Sequence, residues 1–242
     1  MPQGDNPTRR NHSYGYEMPF VYSRSLRLIA ILALAAIGVL SINIRSTSAA
    51  ADRIRIVALG DSLTAGYGLP ANSAFPTLLE AALRSAGENV IVDNAGVSGD
   101  TTTGALERLD WAIPDDADAV IVELGANDML RGLPPDIARK TLDQILSKLQ
   151  QKRVQILVAG MLAAPGLGAD YAKSFNAIYP ELARKYDAIL YPFFLEGLAG
   201  DFNLLQKDGL HPNRAGVEKI VVSILPAVRQ LIDQARTKGA KN

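Results

Sequence analysis

The stretch Ile54–Gly68, IRIVALGDSLTAGYG, decides how this chain is read. Ile54, Ile56, Val57, Ala58 and Leu59 make a short apolar run of the kind that fills a strand buried on both faces. The run stops at Gly60-Asp61-Ser62. In open α/β sheets ligands bind outside the carboxyl ends of the strands. A serine here therefore stands where a nucleophile would. Asp and Ser are also favoured helix N-caps, so the same residues fit the plain start of a helix. The rest of the chain has to separate these two readings.

Beyond this stretch, strands alternate with longer helical patterns. The spacing predicts a helix over 73–86, with Ala74, Leu78, Ala81 and Ala82 on one face and Leu79 and Leu83 beside it. A strand at Val90–Val92 then runs into Asp93-Asn94-Ala95-Gly96. A helix over 102–112 leads to a buried strand, Ala117–Leu124. Pro134-Pro135-Asp136 opens a helix to Gln151, with Ile137, Leu142, Ile145 and Leu149 inward. A strand at Val154–Ala159, a helix over 170–186, a strand at Ala188–Tyr191 and a helix from Arg214 to Ala235 complete the pattern. Alternation of this kind builds βαβ units and a parallel sheet with helices on both faces. Right-handed crossovers leave few topologies. The expected fold is α/β, a three-layer, flavodoxin-like, doubly wound domain whose five-stranded parallel sheet has the order 2-1-3-4-5.

The 242 residues suffice for one domain with a large core. Residues 51–242 are read as that domain and residues 1–50 as a leader. The formal net charge is zero, but Arg9, Arg10, Arg24, Arg27 and Arg45 outnumber Asp5 and Glu17 in the leader. That leaves 20 basic and 23 acidic residues in the body. Such a body carries no basic patch for nucleic acid. There is no cysteine, which excludes disulfides, thiolate metal sites and a cysteine nucleophile. Residues 1–23 are polar, without period, and read as disordered. Arg24 and Arg27 precede the uncharged run Leu28–Ile44, and small residues follow at 46–51. This is the plan of a secretory signal, with Ser48/Ala50 or Ala49/Ala51 suited to cleavage and Met18 an alternative start. An uncleaved membrane anchor through 28–44 is the competing reading. Either one puts the body outside the cytoplasm, periplasmic or secreted in the first case and membrane-anchored in the second.

Histidine is the most informative count. His12 lies in the leader, so the body holds only His211, in Asp208-Gly209-Leu210-His211-Pro212. Asp208 is near enough in a turn to accept the proton of Nδ1, and Pro212 fixes the chain after it. The segment follows the last strand, at the edge where a doubly wound sheet presents a site. An imidazole oriented by a carboxylate is the base half of a serine triad.

Four blocks now stand in order: Gly60-Asp61-Ser62-Leu63, Ser98-Gly99-Asp100-Thr101, Gly125-Ala126-Asn127-Asp128 and Asp208-Gly209-Leu210-His211-Pro212. In order and spacing they resemble the SGNH (GDSL) hydrolases, in particular the bacterial lysophospholipase/thioesterase I and arylesterase branch. The resemblance covers about residues 53–235. It implies Ser62 as nucleophile, His211 as general base and then acid, and Asp208 as its orienter. It also implies an oxyanion hole made of the Ser62 and Gly99 N–H groups and the Asn127 amide. The activity implied is hydrolysis of carboxylic esters through an acyl-enzyme, extending to thioesters and lysophospholipids. No cofactor or metal is implied. The partner expected is a small ester or thioester substrate, and the chain is expected to act as a monomer. The apolar loop Gly160–Gly168, with Met161, Leu162, Ala163 and Pro165, is placed to line an acyl pocket. Tyr171, Tyr179, Phe193 and Phe194 read as core.

Three rival readings remain at this point. Gly66-x-Gly68-x-x-Ala71 with Asp93 fits a relaxed dinucleotide-binding fingerprint, although the glycines do not follow the strand at once. A hydrolase using a carboxylate-held metal would suit Mg²⁺ or Ca²⁺ better than Zn²⁺. A non-catalytic binding module on the same scaffold is the third.

Overall fold

The computed structural model describes residues 53–239. The signal, anchor, cleavage-site and start-site expectations, and His12, lie outside them. Among the described residues no helix is long and apolar enough to cross a membrane.

Five parallel strands are the centre of the fold: β1 Ile54–Gly60, β2 Val90–Gly96, β3 Ala119–Glu123, β4 Gln155–Ala159 and β5 Ile189–Tyr191. Their order is β2-β1-β3-β4-β5, as the alternation predicted. Among the described residues, eight α-helices connect and flank them: α1 Ser62–Ala65, α2 Phe75–Ser85, α3 Thr102–Ala112, α4 Ala126–Leu130, α5 Pro135–Gln151, α6 Ala169–Asn176, α7 Ile178–Lys185 and α8 Arg214–Gly239. Helix α2 packs on α8, and α3 and α7 pack on α5. The inner strands are apolar because they are covered on both sides: Ile56, Val57, Leu59, Val120, Ile121 and Leu157 have no exposed surface.

Four local expectations are corrected. Strand β2 does not end at Val92 but continues through Asp93–Gly96, because those residues pair with Val57–Gly60 and the ladder overrides their weak strand preference. The inward face of α2 is Phe75, Leu79 and Leu83, each fully buried, while Leu78 and Ala82 are half-buried and Ala81 is exposed. In α5, Ala138 rather than Ile137 faces the core, and Ile137 is exposed. The helix expected over 170–186 is divided at Ala177. Pro180 has no N–H to bond the Asn176 carbonyl, so the first helix stops there and a second begins.

All strands run the same way, so their carboxyl ends share one edge. The segments leaving that edge are the ones the sequence singled out: α1, the loop after β2, α4, the loop 160–168 and the segment 193–213.

Candidate active site

Asp61 and Ser62 have different jobs. Asp61 is the N-cap of α1, and its Oδ1 accepts from the Leu63 N–H at 2.9 Å. Ser62 is the first residue of that turn, so its side chain is not used as a cap. The Ser62 hydroxyl instead lies 2.9 Å from His211 Nε2, across 149 residues of chain. His211 Nδ1 lies 2.7 Å from Asp208 Oδ2. Asp208 Oδ1 accepts from the backbone N–H groups of Leu210 (2.9 Å) and His211 (3.0 Å).

Those donors hold Asp208 ionised. The Leu210 N–H, then the His211 ring, then the His211 N–H pull its pKa down to about 2. An ionised carboxylate only accepts hydrogen bonds. It therefore selects the imidazole tautomer with the proton on Nδ1. Nε2 is left as an acceptor, and the Ser62 hydroxyl donates to it.

The loop after β2 and α4 close the other side. Asn127 Nδ2 donates to Asp61 Oδ2 at 3.0 Å and to the Asp100 carbonyl at 2.9 Å. Both of its amide hydrogens are therefore engaged on protein acceptors. Gly99, in the same loop, has φ +82°, a conformation that an L side chain would strain. Its carbonyl accepts from Arg131 Nη2 at 2.6 Å. Asp128 anchors the start of α3, taking the Thr102 N–H at 2.9 Å and the Thr102 hydroxyl at 2.7 Å.

Two buried ionisable side chains below these loops escaped sequence reasoning. The Arg108 guanidinium bonds Asp100 Oδ2 at 2.7 Å and the Gly60 carbonyl at 3.0 Å, joining the β2 loop to the end of β1. Glu123, fully buried at the end of β3, accepts from the Thr64 hydroxyl at 2.8 Å. Its Oε1 is buried without a partner. Burial, then the charge of Asp61, pushes the Glu123 pKa well above the carboxylate range. Burial also lifts Asp61, to about 6.

This acid pair makes stability pH-dependent. A carboxyl whose folded pKa is raised stabilises the fold fully below its unfolded value, and that contribution fades as pH rises through the folded value. For Asp61 the window runs from about pH 4 to above 6, and for Glu123 it extends higher. One pKa unit corresponds to about 1.4 kcal/mol. The expected result is a Tm that falls between pH 5 and pH 8 less steeply in Glu123→Gln than in the unchanged chain. Parallel curves would mean that Glu123 does not hold its proton in the fold.

A cavity of about 480 Å³ opens beside Ser62 and His211. Met161, Leu162, Ala163 and Pro165, the loop residues singled out in the sequence, line it. Ala163 is fixed there by its N–H bond to Asn176 Oδ1 at 2.8 Å. Met129, Leu130, Phe193, Leu195, Leu198 and Leu210 also line it. Of the aromatics expected in the core, Tyr179 and Phe194 are buried there, Tyr171 and Phe193 are half-buried and packed against it, and Phe193 also lines the cavity. The apolar residues of 193–210 have no helical or strand period to mark them as a wall. Their role comes from the chain crossing over the cavity.

The dinucleotide fingerprint finds no matching geometry. Gly66 ends α1 as its C-cap instead of opening a helix at the strand end. Asp93 is engaged by Arg55 Nε at 2.6 Å.

Residues 58–219 match the profile of the GDSL-like lipase/acylhydrolase family. The chain is 40% identical over 168 residues to "Thioesterase 1/protease 1/lysophospholipase L1" of Escherichia coli strain K12, covering 69% of this chain and 78% of the relative. It is 33% identical over 196 residues to "Esterase TesA" of Pseudomonas aeruginosa, covering 81% and 96%. Among solved structures, the SGNH-hydrolase family esterase AlinE4 superposes with a TM-score of 0.63 at 50% identity, over 74% of this chain and 96% of that one.

Proposed function

The chain belongs to the GDSL-like lipase/acylhydrolase family and is a carboxylic-ester hydrolase, and from that premise we propose that it is an exported serine esterase working through an acyl-enzyme on Ser62. The observation that carries the proposal is the continuous bonded series Ser62 Oγ–His211 Nε2, His211 Nδ1–Asp208 Oδ2, at 2.9 and 2.7 Å. Serine is inert until a base takes its proton. Here Nε2 is already aligned to take it.

In the reaction, Ser62 Oγ attacks the ester carbonyl carbon while its proton passes to His211 Nε2. Asp208 stabilises the imidazolium that results. The carbonyl oxygen becomes an oxyanion, received by the N–H groups of Ser62 and Gly99 and by the Asn127 amide. Asn127 then loosens its bond to Asp100 or shares a hydrogen with it, because both of its hydrogens are engaged beforehand. Collapse breaks the ester C–O bond, and the imidazolium proton goes to the departing oxygen. Water, deprotonated by His211, releases the acid and restores Ser62.

The apolar cavity favours an acyl chain as the group held during this cycle, with Met161, Leu162, Ala163 and Pro165 on its wall. Lysophospholipids and thioesters fit the same requirement, and the Escherichia coli relative carries both in its name. Export rests on the arginine-flanked run Leu28–Ile44, and the leader–body division at residue 50 rests on the same feature.

A p-nitrophenyl alkylphosphonate tests the central step. The full chain should lose activity in proportion to reagent bound, with one adduct, on the peptide carrying Ser62. An adduct on another residue that accompanies the loss overturns the assignment. p-Nitrophenyl esters from acetate upward, run alongside, read how long a chain the cavity accepts.

A further inference from the structure

The halves of the site come from opposite ends of the domain. Ser62 follows the first strand, and His211 sits between the last strand and α8. A 2.9 Å contact between them is productive only if both backbones are held to each other. We propose that Gln206 is the positioning residue that does this, clasping the His211 loop to the loop behind the nucleophile turn. The proposal rests on the Ser62–His211 reading given above.

Gln206 first braces its own loop. Its N–H bonds the His211 carbonyl at 2.7 Å, and its carbonyl accepts from the Gly209 N–H at 3.0 Å. Leu205 and Pro212 form an antiparallel bridge alongside. Its side-chain Nε2 then donates twice: to the Pro212 carbonyl at 3.0 Å, within the loop, and to the Tyr67 carbonyl at 2.7 Å, across 139 residues. Both partners are carbonyl oxygens, which only accept. The amide therefore has a single workable orientation, with nitrogen toward both.

The far side of the clasp is shaped for it. Gly68 has φ +72°, and a Cβ there would come within 2.3 Å of Gln206 Oε1. Glycine leaves the space into which the amide fits. Tyr67, the residue gripped, lies with its ring against the His211 imidazole, centroids 4.6 Å apart and tilted 40°. One amide thus fixes the loop that carries the histidine and the aromatic ring packed on it. Arg214 Nη1 to Ser73 Oγ, at 2.9 Å, is a second tie between the same regions, farther from the reacting atoms.

Gln206→Glu and Gln206→Met separate positioning from general stability. At pH 8 the glutamate is a carboxylate facing two carbonyl oxygens with no hydrogen to offer. Expected there is a loss of kcat of about 10–100-fold, the size of effect that misplacement by up to 1 Å produces, with KM within about twofold. Phosphonylation of Ser62 slows by the same factor. As pH falls toward 5 the glutamate regains a proton and a donor, so its kcat/KM relative to the unchanged chain climbs. The methionine variant has no such proton, and its ratio stays flat. The clasp is overturned if both variants keep full kcat, or if the glutamate deficit is as flat with pH as the methionine deficit. Failure of the underlying reading looks different: the unchanged chain would then carry no phosphonate on Ser62.

Discussion

Ser62→Ala lowers kcat/KM for a short p-nitrophenyl ester by about 10⁵–10⁶-fold, the range seen when a triad loses its nucleophile, while Tm stays where it was. The second half of this result follows from the local structure. The N-cap of α1 is Asp61, through Oδ1 and the Leu63 N–H. The Ser62 hydroxyl reaches only across to His211. Removing the oxygen therefore takes away the nucleophile and leaves the turn, its cap and the strand behind it intact. A residual rate above water remains, because the oxyanion donors and the cavity are still present. His211→Ala gives a loss of similar size. An alanine-62 enzyme turning over within tenfold of the original would remove Ser62 from the chemistry. A large drop in Tm would show that the serine supports the turn after all.

The buried ionisable side chains mark where the candidate site stops being legible in the sequence. Ser62 opens the turn at the carboxyl end of β1, and Asp208 and His211 lie in the segment between β5 and α8, the edge where a doubly wound sheet presents a site. The body has a single imidazole, so the base could be only one residue. Gly99 and Asn127 had local signals that a turn would also produce, and they entered through the order of the four blocks. Arg108 and Glu123 gave no signal. In a hydropathy pattern an arginine in a helix or a glutamate at a strand end reads as exposed. Each is buried where partners from other elements meet it: Asp100 of the preceding loop and the Gly60 carbonyl, 48 residues away, for Arg108, and Thr64, 59 residues away, for Glu123. The same non-local pairing extended β2 through Asp93–Gly96. Helix existence followed from period, but the inward face of α2 did not, since its alanines match several faces and only packing against α8 selects Phe75, Leu79 and Leu83.

These pairings also order the site into levels. Glu123 and Thr64 lie beneath the nucleophile turn, and Arg108 ties Asp100 and Gly60. Asn127 joins the two, donating to Asp61 in the nucleophile turn and to the Asp100 carbonyl in the β2 loop. The groups proposed to receive the oxyanion therefore sit on a scaffold of buried ionisable residues. A site that must aim donors before the substrate arrives needs such support.

Asp208→Asn is the second large effect, and its direction is fixed by which atoms surround the carboxylate. Oδ1 accepts two backbone N–H groups, from Leu210 and His211. In the asparagine variant the carbonyl oxygen has to stay on that side, because an NH₂ group would face two donors. The new amide nitrogen is thereby turned toward His211 Nδ1, which must then accept. The imidazole proton moves to Nε2, the atom that faces Ser62, and the base can no longer take the hydroxyl proton. The expected loss in kcat is about 10⁴-fold, with KM nearly unchanged and the loop still folded. Asp208→Ala leaves the tautomer free and falls between this variant and the unchanged enzyme. Stability carries a separate mark of the same carboxylate. Its depressed pKa stabilises the fold above about pH 4 and is lost as pH falls through about 2, so the asparagine variant should show a flatter acid limb. If Asp208→Asn retains kcat within tenfold, or is no worse than Asp208→Ala, then the tautomer is set by something other than Asp208.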